Sequence, residues 1–242
     1  MNQMKRTMKC CWLLIMGFAV LGYSRDNSRV TWPVEHKKVQ LWEGGPYWAE
    51  TNIGAEKPWE YGYYFWWGDT VGYKRVNNVW VASDGSSSAF SFDPEHTPTH
   101  NKDISSLRRD GWITTDGVLT PEHDVAHVQW GGGWRMPTHQ ELIDLKIKCD
   151  WSWSTMNGVT GSVVRGRGDY ASVSIFLPAA GSGSWTLLSD VGSYGRYWSS
   201  VPRTDSRINA WGLLSNSGFP DVSYDYRYDN GHPVRPVQTS VK

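Results

Sequence analysis

Two histidines stand four residues apart in "TPEHDVAHV", so His123 and His127 could share one side of a helix and ligate a metal, with the spacing of zinc proteases. The general-base position of that pattern holds Asp124, whose shorter side chain misplaces a base, and no third ligand stands nearby. No metal and no cofactor is expected. A serine hydrolase would need a nucleophile elbow, which is missing, and Ser, His and Asp are too frequent here to single out a triad. Neither Glu-Pro-Asn nor Gln-Pro-Asp, the calcium-ligand tripeptides of animal lectins, occurs. Arg167, Gly168 and Asp169 spell an integrin-binding tripeptide, but three residues in a Gly-rich loop read as a turn. Trp130 to Trp134 ("WGGGW") could stack on a sugar. Glycines that let backbone approach closely beside core indoles favour a scaffold role instead. No catalytic residue is expected.

A different pattern occupies the last third. From Asn157 to Val237 there is no Lys, Glu, Gln or Met, although these types make up about an eighth of the chain. Solvated strands and loops ordinarily use Lys and Glu freely. Polarity is carried instead by Ser, Asp, Asn, Arg and Tyr. One reading is a loop-rich half that favours turn formers. The other is a binding surface, since Tyr offers rigid amphipathic area while Ser, Gly, Asn and Asp offer adaptable hydrogen bonds, as in antibody paratopes. Arg196, Arg203, Arg207 and Arg227 add planar donors suited to hot spots.

The elements that must position these residues are partly legible. A chain of 242 residues can bury one sizeable core. Formal charge is zero at pH 7, which disfavours nucleic acid and anionic membrane surfaces as partners. Residues 1–24 read as a secretory signal, with Lys5, Arg6 and Lys9 before an apolar run from Cys10 to Leu21 too short to span a bilayer. Export to the cell surface or medium is expected, with no transmembrane segment in the mature chain. Only Cys149 then remains, so no internal disulfide forms.

Residues 25–38 read as an extended lead-in before a domain at 39–237. Val39 to Ala55 alternates like a strand broken at Gly44, Gly45 and Pro46, and "WEYGYYFWWGD" (Trp59 to Asp69) is too aromatic for a solvated loop and reads as core wall. Residues 83–110 read as a surface insertion with little structure of its own. Thr120 and Pro121 start one expected helix. Thr138 with Glu141 forms a capping box for a second, carrying Leu142, Leu145 and Cys149 on one face. After Cys149 short apolar runs such as "SVSIFLPAAG" alternate with turn formers, which predicts strands and loops.

Five blocks carry a resemblance: "WGGGWRMPTHQEL" (Trp130 to Leu142), "SIFLPAAG" (Ser174 to Gly181), "YWSS" (Tyr197 to Ser200), "AWGL" (Ala210 to Leu213) and "PVRPV" (Pro233 to Val237). In this order they resemble the secreted Fibrobacter-type major paralogous domain of gut Bacteroidetes, in the formylglycine-generating-enzyme branch of the C-type lectin-like fold. The resemblance implies an α+β domain with a twisted antiparallel sheet, about two helices and many loops. It includes the variable proteins of diversity-generating retroelements, whose late strands and loops form a ligand face encoded by randomised, mostly Asn, codons. Randomising the first two bases of AAC or AAT cannot produce Lys, Glu, Gln, Met or Trp, and the first four are the types missing here. Trp198 and Trp211 then read as frame, with Ala210, Pro233, Val234, Arg235 and Pro236. Trp185 sits awkwardly in a variable-looking stretch. Formylglycine-type oxidation would need paired reactive cysteines, and the mature chain has one.

The expected function is non-enzymatic recognition of a protein or glycan on a cell, phage or host surface. A metal-dependent or other hydrolase or oxidase of the same fold, or a structural cell-surface protein, is the alternative. The ligand face is assigned to Arg196, Arg203, Asp205, Arg207 and Ile208, together with Asp221, Ser223, Tyr224, Asp225, Tyr226, Tyr228 and Asp229. Ser182, Ser184, Asp190 and Tyr194 are its expected neighbours. Tyr is expected to supply apolar contact, Arg and Asp charged hydrogen bonds.

Overall fold

The computed structural model describes residues 35–86 and 91–239. The expected signal at 1–24, and the lead-in as far as residue 34, lie outside them. Strands β1 (Lys38–Gln40) and β2 (Tyr47–Ala49) meet across the expected Gly-Gly-Pro turn, and a hairpin of β3 (Tyr73–Val76) and β4 (Val79–Ala82) comes after them. Next come α1 (Ile104–Arg109), α2 (Val125–Trp130), β5 (Trp134–Arg135) and α3 (His139–Lys148). The remainder is strand and loop with a single 3-10 turn: β6 (Asp150–Met156), β7 (Val159–Arg165), β8 (Ser174–Pro178), β9 (Ser182–Ser184), β10 (Leu187–Ser189), β11 (Gly195–Pro202), β12 (Asn209–Ser215), β13 (Asp225–Arg227) and β14 (Val237–Gln238). The described residues are thus α+β.

The strands form five small antiparallel sheets instead of one twisted sheet: β1-β2-β14-β5, β3-β4, β6-β7-β8, β9-β10 and β11-β12-β13. Turn formers interrupt the chain before any strand exceeds eight residues. No described helix is long and apolar enough to cross a membrane.

The α3 start obeys its sequence signal: Thr138 accepts from Glu141 N while the Glu141 carboxylate takes the Thr138 N–H. Leu142, Leu145 and Cys149 are buried on one side. Burial pushes the Cys149 thiol up to about 12, so it stays protonated and unreactive at neutral pH.

Two expectations need correction. The helix near "TPEHDVAHV" begins at Val125, because Asp124 caps Ala126 N and His127 N and also accepts from Met136 N, whereas the Thr120 hydroxyl turns away to Gly111 O. The 83–110 stretch is no loose insertion. Asp103 caps α1 there, and Leu107, Phe92 and Thr99 are buried.

Aromatic rings explain how a Gly-rich chain stays packed. Tyr64 and Trp66 enter one core cluster with Trp80 and Phe92, while Phe65 and Trp67 face the other way, into a cluster with Trp198, Tyr226 and Tyr228. The segment read as core wall therefore runs extended between two cores, with period two. Trp67 Nε1 donates to Ser199 O (2.9 Å) and Trp198 Nε1 to Phe65 O (2.8 Å), so each indole both fills space and ties two segments. A third cluster holds α3 against β8, β11 and β12 through Leu142, Leu145, Ile175, Leu177, Tyr197 and Leu213.

Arg235 is the polar centre of this packing. It is 1% exposed, and its guanidinium donates to Asn52 Oδ1 (2.9 Å), Ala49 O (3.1 Å) and Phe176 O (2.8 Å). Burial lowers its pKa only to about 10, so it remains a cation at neutral pH. Arg235→Met should destabilise the fold by about 3–5 kcal/mol, because three buried acceptors lose their donor at once. Arg235→Lys should recover little of that loss, since an ammonium cannot reproduce the planar fork. Urea denaturation of both variants checks this, and a near-neutral Arg235→Lys would contradict it.

Candidate recognition surface

Of the expected ligand residues, Arg196, Asp225 and Tyr226 lie on the strands of the sheet β11-β12-β13, while Arg203, Asp205, Arg207 and Ile208 lie in its β11–β12 loop and Asp221, Ser223 and Tyr224 in its β12–β13 loop. The sheet's register pairs Tyr197 with Leu213, Trp198 with Gly212, Ala210 with Tyr226, and Trp211 with Asp225. Directly opposed residues share a face. Trp198, Ala210 and Tyr226 therefore look towards one core, and Tyr197 and Leu213 towards another. Gly212 permits this arrangement, since a Cβ there would lie 2.8 Å from the Tyr226 ring and 2.7 Å from Tyr197 O.

Two of the expected surface tyrosines are buried. Tyr226 is 9% and Tyr228 2% exposed, while Tyr224 is 49% exposed. Tyr226 packs edge-on against Trp198, and Tyr228 stacks on Trp67 at 4.8 Å. Burial raises both phenols above their ordinary range, so neither ionises near neutral pH. The signal was present: in "YDYRYD" the rings alternate with charges, and strand period two sends Tyr226 and Tyr228 inward while Asp225, Arg227 and Asp229 turn the other way. Both tyrosines belong to the frame.

The remaining residues gather in three places. At the first, Arg203 pairs with Asp205 and with Asp225 (2.9 Å), and its guanidinium lies 5.1 Å above the Trp211 ring, which stacks on His139 at 4.4 Å. Asn209 adds a donor to the same Asp225 carboxylate. The Arg203 hydrogen bond is the main reason Asp205 sits below the usual carboxylate range. At the second, Asp190 pairs with Arg196 (2.8 Å), whose guanidinium lies 4.9 Å from the Tyr194 ring. Tyr224 stacks against Tyr226 nearby at 6.4 Å. At the third, Ile208, Tyr228 and Asp229 line a small hollow with Arg227, Pro94 and Thr97. Arg207 is exposed, 4.0 Å from Asp103.

Asp221 caps Ser223 through its backbone N–H and hydroxyl and approaches Lys146 at 3.8 Å. Those bonds from Ser223, more than Lys146, hold its carboxyl low. Ser182 and Ser184 lie half-buried on β9, whose Gly183 bridges Gly231 beside His232.

Sequence reasoning missed the self-pairing of the charges. Arg203 with Asp205 and Arg227 with Asp229 each close a two-residue fork that holds both side chains in one orientation. It also missed His139, inside a block read as frame, and His232, just before the last such block. His232 is 1% exposed, with its ring 4.6 Å from Trp198 and 4.5 Å from Tyr226.

No family model, curated protein or solved structure matches this chain. Its function is therefore read from its own residues. The larger openings lie away from the surface just described. A groove of about 600 Å³ is bordered by Trp59, Tyr61, Glu56, Glu60 and Arg75, and another of about 690 Å³ by His36, Glu50, Lys57 and Trp130. The two histidines first considered for metal do not share a helix face: His123 precedes α2 and stacks on Trp112 at 3.7 Å. Arg167 is committed to Asp150 (2.7 Å) and to two carbonyls at the end of α3, as the turn reading requires. Trp198 is fully buried, Trp211 half-buried, and Trp185 is 58% exposed with φ 52°.

Burial, with Arg196 adding, pushes the His232 pKa well below its ordinary value, so the folded state keeps the ring neutral. The unfolded chain binds a proton there below about pH 6.5, the ordinary His pKa. His232 therefore leaves stability intact above that pH and removes up to about 1.4 kcal/mol per pH unit as pH falls below it. His232→Phe, which fits the surrounding rings, should flatten the acid limb between pH 6.5 and 5 relative to the parent in urea titrations. Parallel limbs would contradict the assignment.

Proposed function

We propose that this chain is an exported ligand-binding protein that displays an interchangeable recognition surface on a C-type lectin-like frame. The carrying observation is the division of labour within residues 157–237. The residue types that Asn-codon randomisation cannot make are missing from the segment, apart from three Trp. Of those three, Trp198 is frame by burial, Trp211 is half-buried against His139, and the exposed Trp185 falls outside a simple codon account.

The five blocks behind the family resemblance also touch one another. Trp198 N donates to Pro233 O, Ser200 N to Pro137 O, Arg235 to Phe176 O, Val237 pairs with Arg135, and Tyr197 pairs with Leu213. A shared set of mutually bonded segments is what a frame common to many variable sequences requires, which supports placing the chain in that branch. Between the blocks, Asp205, Arg207, Ser223 and Tyr224 are exposed, and Arg203 lies half-buried over the Trp211 ring. Their chemistry suits hydrogen-bonded and aromatic contact with a protein or glycan. The chain does no bond chemistry in this reading. Near-copies of the 181–237 coding segment with Asn codons beside the gene would mark active diversification.

A display library that randomises Arg203, Asp205, Arg207, Ser223 and Tyr224 with pyrimidine-ending codons tests the proposal. Most members should remain folded by protease resistance, because substitutions at such sites usually change stability by less than about 0.5 kcal/mol. Panning on streptavidin should then enrich binders. Loss of folding across the library, or no enrichment from a folded one, would overturn it.

A further inference from the structure

The groove of about 600 Å³ beside β3 has a wall fixed from inside the fold, and none of the residues assigned to the recognition surface lines it. Asn52 takes the Arg235 guanidinium on Oδ1 (2.9 Å) and donates from Nδ2 to Tyr61 O (2.9 Å), so the buried cation braces the segment that carries Tyr61. Gly54 and Gly62 both have φ 76°, and a Cβ would come within 1.8 Å of the Tyr63 ring at the first and 2.3 Å of Ile53 O at the second. Only glycine lets the wall close this way. The Glu60 carboxylate takes the N–H groups of Glu56 (2.7 Å) and Lys57 (3.3 Å), which closes the loop that presents Trp59. On another side Arg75 donates to Thr186 O and ties β3 to the β9–β10 turn. Small-molecule sites are ordinarily pre-formed hollows of about 300–1,000 Å³, and this groove fits that description.

Its contents say what it suits. Trp59 and Tyr61 line it half-buried. Among the described residues nothing stacks on the Trp59 ring or accepts from its Nε1, whereas Trp67 and Trp198 use both ring and N–H inside the core. Glu56, Glu60, Lys74 and Arg75 line the same opening, no ion pair among the described residues takes up any of them, and their formal charges cancel. A cationic ligand would meet Lys74 and Arg75, and an anionic one Glu56 and Glu60. An aliphatic ligand would strip water from all four without replacing its hydrogen bonds. A sugar ring meets each demand, since its C–H face covers an aromatic ring while its hydroxyls donate to carboxylates and accept from Lys or Arg. The second groove, of about 690 Å³, shares Gly54, Glu56 and Lys74 with the first, so the trough continues past a single sugar. We propose that this trough binds an uncharged oligosaccharide, with Trp59 as its stacking platform and Glu56 as a hydroxyl acceptor. The site is separate from the recognition surface and does not rest on it.

The test is an NMR titration of the full chain, following the Trp59 indole N–H, with cellohexaose, xylohexaose and maltohexaose as uncharged probes and trigalacturonic acid as the charged control. At least one uncharged probe should give a saturable shift, and trigalacturonic acid none. By calorimetry with that probe, Trp59→Ala should weaken binding about tenfold or more, through loss of the stacking ring, and Glu56→Gln several-fold. If Trp59→Ala fails to fold, the exposed Glu56 still carries the test. No saturable shift with any of the three sugars, equal binding of trigalacturonic acid, or unchanged affinity in both variants would overturn the proposal. A casein digest that shifts the Trp59 signal where the sugars do not would overturn it too and assign the groove to peptides. The randomised library bears on the recognition surface alone, so either reading can fail while the other stands.

Discussion

The guanidinium of Arg235 is the constraint on which the described domain depends. One buried cation holds Ala49 O on β2, Asn52 in the loop after that strand and Phe176 O on β8, while its own neighbours bond to β11. The sheets are small and share few ladder hydrogen bonds, so a centre reaching several of them at once does what a single continuous sheet would otherwise do. Indole donors extend the same logic outward, since Trp67 and Trp198 each close a long-range hydrogen bond from inside a core. Tryptophan is abundant because a glycine-rich backbone with irregular loops needs wide side chains that also carry a donor.

A frame fixed this way leaves the connections between its anchors free to vary. Between "AWGL" and "PVRPV", Leu214, Val222, Tyr226, Tyr228 and His232 are buried. Outward positions pair among themselves, arginine with an acid two residues on, and Arg203 after β11 with Asp225 on β13. Exposed pairs of this kind add little to stability. They fix the side chains' orientation and keep a charged surface close to neutral.

Much of this was legible in the residues, for reasons that differ from place to place. The capping box at Thr138 and Glu141 is a local signal, and α3 forms where it points. The aromatic run before Asp69 announces burial through density alone. The helix α1 escaped because six residues with a single buried leucine are too short for periodicity to register, and the Asp103 cap was the sole mark of it. The start of α2 was misplaced because a proline after threonine is a strong pattern, whereas the winning cap, Asp124, also gathers Met136 N from beside β5, which no local reading can foresee. Among the site residues, Asp205, Arg207, Ser223 and Tyr224 are exposed and Arg203 is half-buried. Tyr226 and Tyr228 are buried, since composition says which residue types are available but period decides which way they face.

The proposal separates frame from surface, and a saturation map of folded abundance over residues 181–237 measures that separation directly. Broad tolerance is predicted at Arg203, Asp205, Arg207, Ser223 and Tyr224, against sharp intolerance at Trp198, Gly212, Tyr228 and Arg235. Equal intolerance at both sets would contradict the separation.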